Sequence, residues 1–165
     1  MTFTTDRITS SIFNTLAPVP SAIANFERLS TDDQLGLLWV LYENMGGAIT
    51  PAAPGAARLQ FAAGLLERVK AMSSEEQLQL QRDLVNKVNT PDTRAYGVLS
   101  NNNKLAFWFQ LAEWMKSGEV VPVPANYKLS REATRVFSQI AQLEFNQQIT
   151  VLRQAAVNMG IDPLA

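Results

Sequence analysis

Leu35, Leu38, Trp39 and Tyr42 stand at i, i+3, i+4 and i+7, and Leu105, Trp108, Phe109 and Ala112 repeat that spacing later in the chain. Residues so placed share one face of an α-helix, whereas a half-buried strand needs strict alternation. Helical spacing recurs along most of the 165 residues, and alternation is nowhere sustained. The pattern restricts the chain to an all-α fold.

Punctuation in the sequence divides the helices. The one carrying Trp39 starts at Ser30 or Thr31, has Asp32 and Asp33 in its first turn, and stops at Gly46-Gly47. Leu37, Leu41 and Met45 widen its apolar face, which predicts central burial. A second helix is expected from about Gly55 to Met72, with Leu59, Ala62, Leu66 and Val69 on one side. Ser73-Ser74-Glu75-Glu76 reads as a capping box opening a third, which ends near Val88, and Thr90-Pro91 opens a short fourth. Ser100 or an adjacent Asn starts the helix of Trp108, which ends at Gly118; the stretch from Val120 to Tyr127, with Pro122 and Pro124, is an extended loop. Ser130 starts a helix running to about Phe145, and Asn146 starts the last, running to Gly160. Two short helices before Leu29 bring the expected count to eight or nine. The first of these reaches Pro18 and is set off by Ala17 to Pro20, dividing the chain into an N-terminal helical arm, 1–19, and a helical domain, 20–165.

Composition narrows the chemistry. With no Cys and no His there is no thiolate nucleophile, no imidazole base and no soft metal ligand, so zinc sites, His- or Cys-ligated haem and Ser-His-Asp triads are excluded. Fourteen Lys and Arg against 15 Asp and Glu leave a net charge of -1, and no electrostatic reason to bind nucleic acid. The longest charge-free stretch, Ile8 to Phe26, is broken by hydroxyl side chains and by Pro18 and Pro20, so it does not span a membrane and a cytoplasmic protein is expected. Glycine-rich phosphate loops and nucleophile elbows are missing. Asp32-Asp33 and Glu75-Glu76 are read as first-turn charges that complement helix dipoles rather than as acid-base pairs. No catalytic residue and no metal ligand is assigned, and no enzyme is expected.

An aromatic stripe at helical spacing is ordinarily core. Here, however, two well-separated helices each carry one, which suggests two half-bundles sharing a seam, and Val123 and Tyr127 add apolar groups from the stiff loop that follows. Such a seam would hold a long, flat, apolar ligand. Arg153 interrupts the apolar stripe of the last helix, Ile149, Leu152, Ala156 and Met159. It is either a packed stem with its head paired to a carboxylate or a docking residue.

Taken together, several blocks resemble the helical carotenoid-binding domain of cyanobacterial orange carotenoid proteins. They are Asp33-Gln34-Leu35 through Trp39, Tyr42 and Met45-Gly46; Ala52-Ala53-Pro54-Gly55-Ala56-Ala57; Asn89-Thr90-Pro91; Lys104-Leu105 with Phe107-Trp108; Val123-Pro124-Ala125 with Tyr127; and Gln147 through Arg153 with Met159-Gly160. The resemblance implies an orthogonal bundle of two discontinuous four-helix half-bundles with a keto-carotenoid (canthaxanthin, echinenone or 3'-hydroxyechinenone) between them. It places the pigment against Leu35, Leu38, Trp39, Tyr42, Leu105, Trp108, Phe109, Val123 and Tyr127, with Trp39 and Trp108 flanking one terminal ring. It differs from the two-domain members at Phe109, where they carry tyrosine, at Leu99, where they carry tryptophan, and at Gln81, where they carry methionine. Because the chain ends at Ala165, near where the interdomain linker would begin, it resembles a stand-alone homologue, although a piece of a longer protein would read the same. The function implied is photoprotection by quenching singlet oxygen. Alternatives are quenching of phycobilisome excitation, with Arg153 as the docking residue and a station at the thylakoid surface, and exchange of pigment with a separate C-terminal-domain-like carrier. A monomer is expected.

Overall fold

The computed structural model describes residues 18–45 and 62–164, and every regular element among them is a helix. In chain order these are α1 (Pro18–Glu27), α2 (Thr31–Met45), α3 (Ala63–Ala71), α4 (Ser74–Asn86), α5 (Pro91–Gly97), α6 (Asn101–Ser117), α7 (Arg131–Ala141) and α8 (Phe145–Val157).

Most starts are where capping chemistry puts them. Ser30 Oγ accepts from the Asp33 amide, Ser100 Oγ from Asn103 and Ser130 Oγ from Ala133. Ser73 and Glu76 form the reciprocal box at α4, and Thr90 with Thr93 does the same at α5, where Pro91 opens the helix. Gly118 takes φ 83° after α6, as a left-handed stop requires.

Elsewhere the boundaries move. Pro18 and Pro20 lie in the first turn of α1, where a missing amide costs nothing, so the expected 19/20 boundary falls inside that helix. The helix expected before it lies outside the described residues, as do Gly46-Gly47 and the Gly55 to Phe61 part of the second helix. What is described of that helix, α3, opens after Ala62, which stands in a turn without a side-chain cap. α4 ends at Asn86, with Lys87 left-handed at φ 56°. The helix expected to reach Phe145 stops at Ala141: the Leu143 amide turns back to the Ile140 carbonyl, and Glu144 precedes α8, one residue earlier than Asn146 would suggest. Gly160 lies beyond α8, in a turn of its own at φ 76°.

Helices from both ends of the described chain pack together: α1 lies against α7 and α8, and α7 touches α2 and α8. A second group is α3, α4 and α5. The two groups meet where α2 packs on α4 and through α6, which packs on α8 and α2 while its Trp114 receives Lys70 of α3 and its Phe107 meets Tyr96 of α5. The expected discontinuity is therefore present. The core is built from fully buried Phe26, Leu37, Leu41, Leu84, Tyr96, Phe107, Leu111, Ile140 and Val151, so the Leu37, Leu41 and Met45 side of α2 is central as its width predicted.

One pattern builds four of the turns. Phe26, Val69, Tyr96 and Ile140 are each fully buried and each accepts at its carbonyl from the amide three residues on, at 3.0–3.1 Å. The next residue, Ser30, Ser73, Ser100 or Glu144, precedes a new helix. Four residues further on stands a long polar side chain. Gln34 turns back to the carbonyls of Glu27 and Leu29, Gln77 to that of Val69, and Gln148 to those of Ala141 and Leu143. These carbonyls lie at or just beyond a helix end, where the helix leaves acceptor capacity unused. In the turn after Tyr96 the position is Lys104, whose ammonium lies 5.6 Å from the centre of the Tyr96 ring.

Candidate apolar binding site

The second face of α2 looks onto a cavity rather than into the core. Leu35, Leu38, Trp39 and Tyr42 line it from α2, Leu105, Trp108, Phe109, Ala112 and Met115 from α6, Ile149, Leu152 and Ala156 from α8, and Gln81 from α4. Counted out to its open edge, the space among these residues is about 660 Å³. A second hollow of about 630 Å³ adjoins it, sharing Leu35, Gln81 and Met115, and is walled by Leu78, Val121, Pro122, Val123, Pro124 and Tyr127. Seven of the nine residues expected at the seam line the first cavity, and Val123 and Tyr127 line the second. The wall contributed by Ile149, Leu152 and Ala156 was legible only as an apolar stripe on the last helix, and Met115 follows Ala112 at helical spacing without having been singled out.

The rings are fixed against one another. Trp39 stacks on Tyr42 with centroids 5.6 Å apart and planes 30° apart, and Phe109 meets Tyr42 edge-on at 5.6 Å. Trp108 meets Phe107 at 5.9 Å, nearly perpendicular. These are the offset and edge-to-face arrangements that aromatic quadrupoles favour.

The polar atoms of Tyr42, Trp108 and Tyr127 are engaged by the protein. The Tyr42 hydroxyl donates to Glu113 Oε1, and Lys116 lies 5.1 Å from the same ring. Burial and the neighbouring Glu113 carboxylate both push the Tyr42 hydroxyl up. Trp108 Nε1 donates to Tyr96 Oη at 3.0 Å, and Tyr96 in turn donates to the Ala156 carbonyl at 2.5 Å. Tyr127 Oη donates to Asp33 Oδ1 at 2.8 Å; burial and that carboxylate push the Tyr127 hydroxyl up to about 12. Gln81 Nε2 donates to the Gln77 carbonyl at 3.3 Å. Leu, Ile, Ala and Met side chains and aromatic carbon make up the rest of the first cavity's wall.

The loop carrying Val123 and Tyr127 is held from two sides. Gln77 Oε1 accepts from the Val121 amide at 2.8 Å while its Nε2 donates to Glu119 O. Gly36 supplies the second hold: a Cβ there would come within 2.9 Å of Tyr127 Cε1, so only glycine lets the ring lie on α2. At the open side of the second hollow Arg82 of α4 pairs with Asp32 of α2 through two hydrogen bonds, at 3.0 and 3.2 Å. The paired carboxylates Asp32-Asp33 thus serve an ion pair and a tyrosine, and Glu76 serves a cap.

Arg153 is half-buried, and its Nε is buried with no hydrogen-bond partner; among the described residues it forms no ion pair, so the carboxylate-paired head is not what the structure shows. Among the described residues no cluster of acidic side chains could hold a metal ion, and no helix is long and apolar enough to cross a membrane.

The family described as orange carotenoid protein, N-terminal, matches residues 13–162. An orange carotenoid-binding domain-containing protein of Nostoc sp. is 53% identical, with 100% of this chain and 99% of that protein covered. Among solved structures, the Orange Carotenoid Protein of Anabaena (Nostoc) sp. binding canthaxanthin superposes with a TM-score of 0.82 at 49% identity, covering 88% of this chain and 47% of that one. The Red Carotenoid Protein of the same organism, also binding canthaxanthin, gives a TM-score of 0.77 at 38% identity, covering 86% and 97%. The chain thus spans about half the length of the orange carotenoid protein and nearly all of the red one.

Proposed function

The chain belongs to the orange carotenoid protein N-terminal family, and from that premise we propose that it holds a keto-carotenoid, canthaxanthin or a near relative, in the seam between α2 and α6 and acts in photoprotection. The observation that carries this reading is the state of the wall. Tyr42, Trp108 and Tyr127 turn their polar atoms to Glu113, Tyr96 and Asp33, so these three present ring face, and with the aliphatic side chains they make a wall that is largely apolar beside the Gln81 amide. Such a surface suits a hydrocarbon polyene, because burying apolar area against it is favourable. Leu35, Leu38, Trp39, Tyr42, Leu105, Trp108 and Phe109 would hold one part of the pigment, and Val123 and Tyr127 the part over the second hollow.

A bound keto-carotenoid would supply the one thing the side chains lack, a conjugated system that accepts the energy of singlet oxygen and returns it as heat. The protein's part is to bind, orient and shield that system. Its rings contribute large contact area at low entropy cost, and no catalytic group is required. The test is loading with canthaxanthin followed by singlet-oxygen phosphorescence in the presence of a photosensitiser. The expected result is a coloured complex that shortens the emission lifetime, and a Trp39→Ala, Trp108→Ala double variant that binds little pigment. Wild-type protein that stays colourless, or a double variant with an unaltered spectrum, would overturn the reading.

Arg153 favours a second role, away from the cavity wall. A half-buried guanidinium whose Nε has no partner is costly to maintain and suits a surface that a partner completes. The partner would be an antenna complex such as the phycobilisome, or a carotenoid carrier resembling the C-terminal domain. Mixing holoprotein with each, and repeating with Arg153→Leu, separates them. Quenched antenna fluorescence supports the first and a shifted visible spectrum the second.

A further inference from the structure

Tyr96 lies behind the cavity wall rather than in it. It is fully buried, its ring meets Phe107 edge-on at 5.3 Å, and Gly160 lies so close that a Cβ there would come within 2.5 Å of Tyr96 Cδ1. Packing therefore fixes the ring. Its hydroxyl holds two residues that do line the cavity and belong to different helices: it accepts from Trp108 Nε1 of α6 at 3.0 Å and donates to the Ala156 carbonyl of α8 at 2.5 Å.

An indole can turn about its two side-chain torsions, and each orientation presents a different surface to a ligand. What selects one here is the hydroxyl. Turning the ring away would leave a buried N–H and a buried hydroxyl short of a partner, which costs more than the net value of the bond. We infer that Tyr96 is a positioning residue for the pigment site: its hydroxyl sets the orientation of the Trp108 indole and ties that ring to the α8 wall. This role rests on the carotenoid-binding reading above. Burial pushes the Tyr96 hydroxyl well above the usual tyrosine range, so the relay keeps its proton throughout the physiological range.

The decisive variant is Tyr96→Phe, which keeps the ring and removes only the oxygen. In nitrogen-labelled pigment-free protein, the Trp108 indole proton should exchange with solvent more slowly than those of Trp39 and Trp114, and Tyr96→Phe should accelerate it by about tenfold, the equivalent of one lost hydrogen bond. Exchange at Trp108 no slower than at the other two tryptophans would overturn the inference without any variant. In protein loaded with canthaxanthin, Tyr96→Phe should displace the visible absorption maximum in the wild-type background and leave it in place when Trp108 is already Phe, which has a ring but no N–H. An equal displacement in both backgrounds would mean that Tyr96 acts through general packing, and no displacement in either would mean that the indole's orientation does not matter; each overturns the proposal. Wild-type protein that takes up no canthaxanthin removes the carotenoid reading and this role with it, while the exchange measurement still decides whether Tyr96 holds the indole.

Discussion

Tyr127 Oη donates to Asp33 Oδ1 at 2.8 Å and Ser130 N to the same oxygen at 3.4 Å, and these bonds join the loop after α6 to the first turn of α2. Burial alone would raise the Asp33 carboxyl, but hydrogen bonds from Ser130 and Tyr127 outweigh it and hold it below its ordinary 3.8. A carboxyl lowered on folding contributes stability above its unfolded value, and that contribution is lost as pH falls through the folded value. Asp33→Asn should therefore cost about 1 kcal/mol near neutral pH, and the difference from wild type should shrink below pH 4. Denaturant melts near pH 7 and near pH 3 measure this, and an equal loss at both would contradict it.

Two glycines in helices make opposite predictions. At Gly36 a Cβ would meet Tyr127 at 2.9 Å and Leu129 at 3.2 Å, whereas at Gly64 it would meet nothing within 4 Å among the described residues. Gly36→Ala must push Tyr127 from its seat, at about 1–3 kcal/mol for an overpacked contact. Gly64→Ala should stabilise by a few tenths to about 1 kcal/mol, because alanine has less freedom to lose. Thermal melts of the two variants should move in opposite directions, and a Gly36→Ala protein as stable as wild type would show that the close approach is not maintained in solution.

How far the sequence carried follows from these residues. Helix class, most starts and the aromatic wall are local properties: a serine before an amide, a proline at a first turn and rings at helical spacing speak for themselves. The turn between α7 and α8 did not, because it has no glycine, proline or serine. It is made by Leu143 folding back to Ile140 and by Gln148 satisfying two carbonyls, a pattern visible only once Gln34 and Gln77 are seen in the same role. Comparing the spacing of buried residue, cap and long polar side chain across the four turns would have found it. Tyr96 and Gly36 stayed hidden because their roles depend on Trp108, Ala156 and Tyr127, which approach them only in three dimensions.

Lys104 is the one departure from glutamine in that set, and burial holds its ammonium below the usual lysine range, with Asp162 opposing the shift. A lysine whose folded value is depressed penalises the folded state at neutral pH, and the penalty is relieved as pH rises through the folded value toward 10.5. A glutamine there could turn to the carbonyls of the preceding turn, as Gln34 and Gln148 do. Lys104→Gln should accordingly stabilise the protein at pH 7, by up to about 1 kcal/mol, with the gain falling as pH rises toward 10.5. A variant less stable than wild type would show that the ammonium's place over the Tyr96 ring outweighs its desolvation.

Gln81 belongs to both hollows, is almost fully buried, and has one donor bond to its own helix at Gln77 O. Its amide is the one polar side-chain group of the first cavity's wall that is not part of an aromatic ring system, and it stands where the two spaces meet. An amide dipole beside a conjugated chain shifts the chain's absorption, since ground and excited states differ in how charge is distributed. It also favours a ligand that can offer an oxygen over one that cannot. Replacing it by methionine, similar in length and flexible, removes the dipole with little change in volume. Gln81→Met should leave thermal stability within about 1.5 kcal/mol of wild type, shift the visible maximum of the canthaxanthin complex, and narrow the preference for canthaxanthin over β-carotene when the two are offered together. An unaltered spectrum and an unaltered preference would place the Gln81 amide away from the pigment and assign the junction's character to Leu35 and Met115 alone.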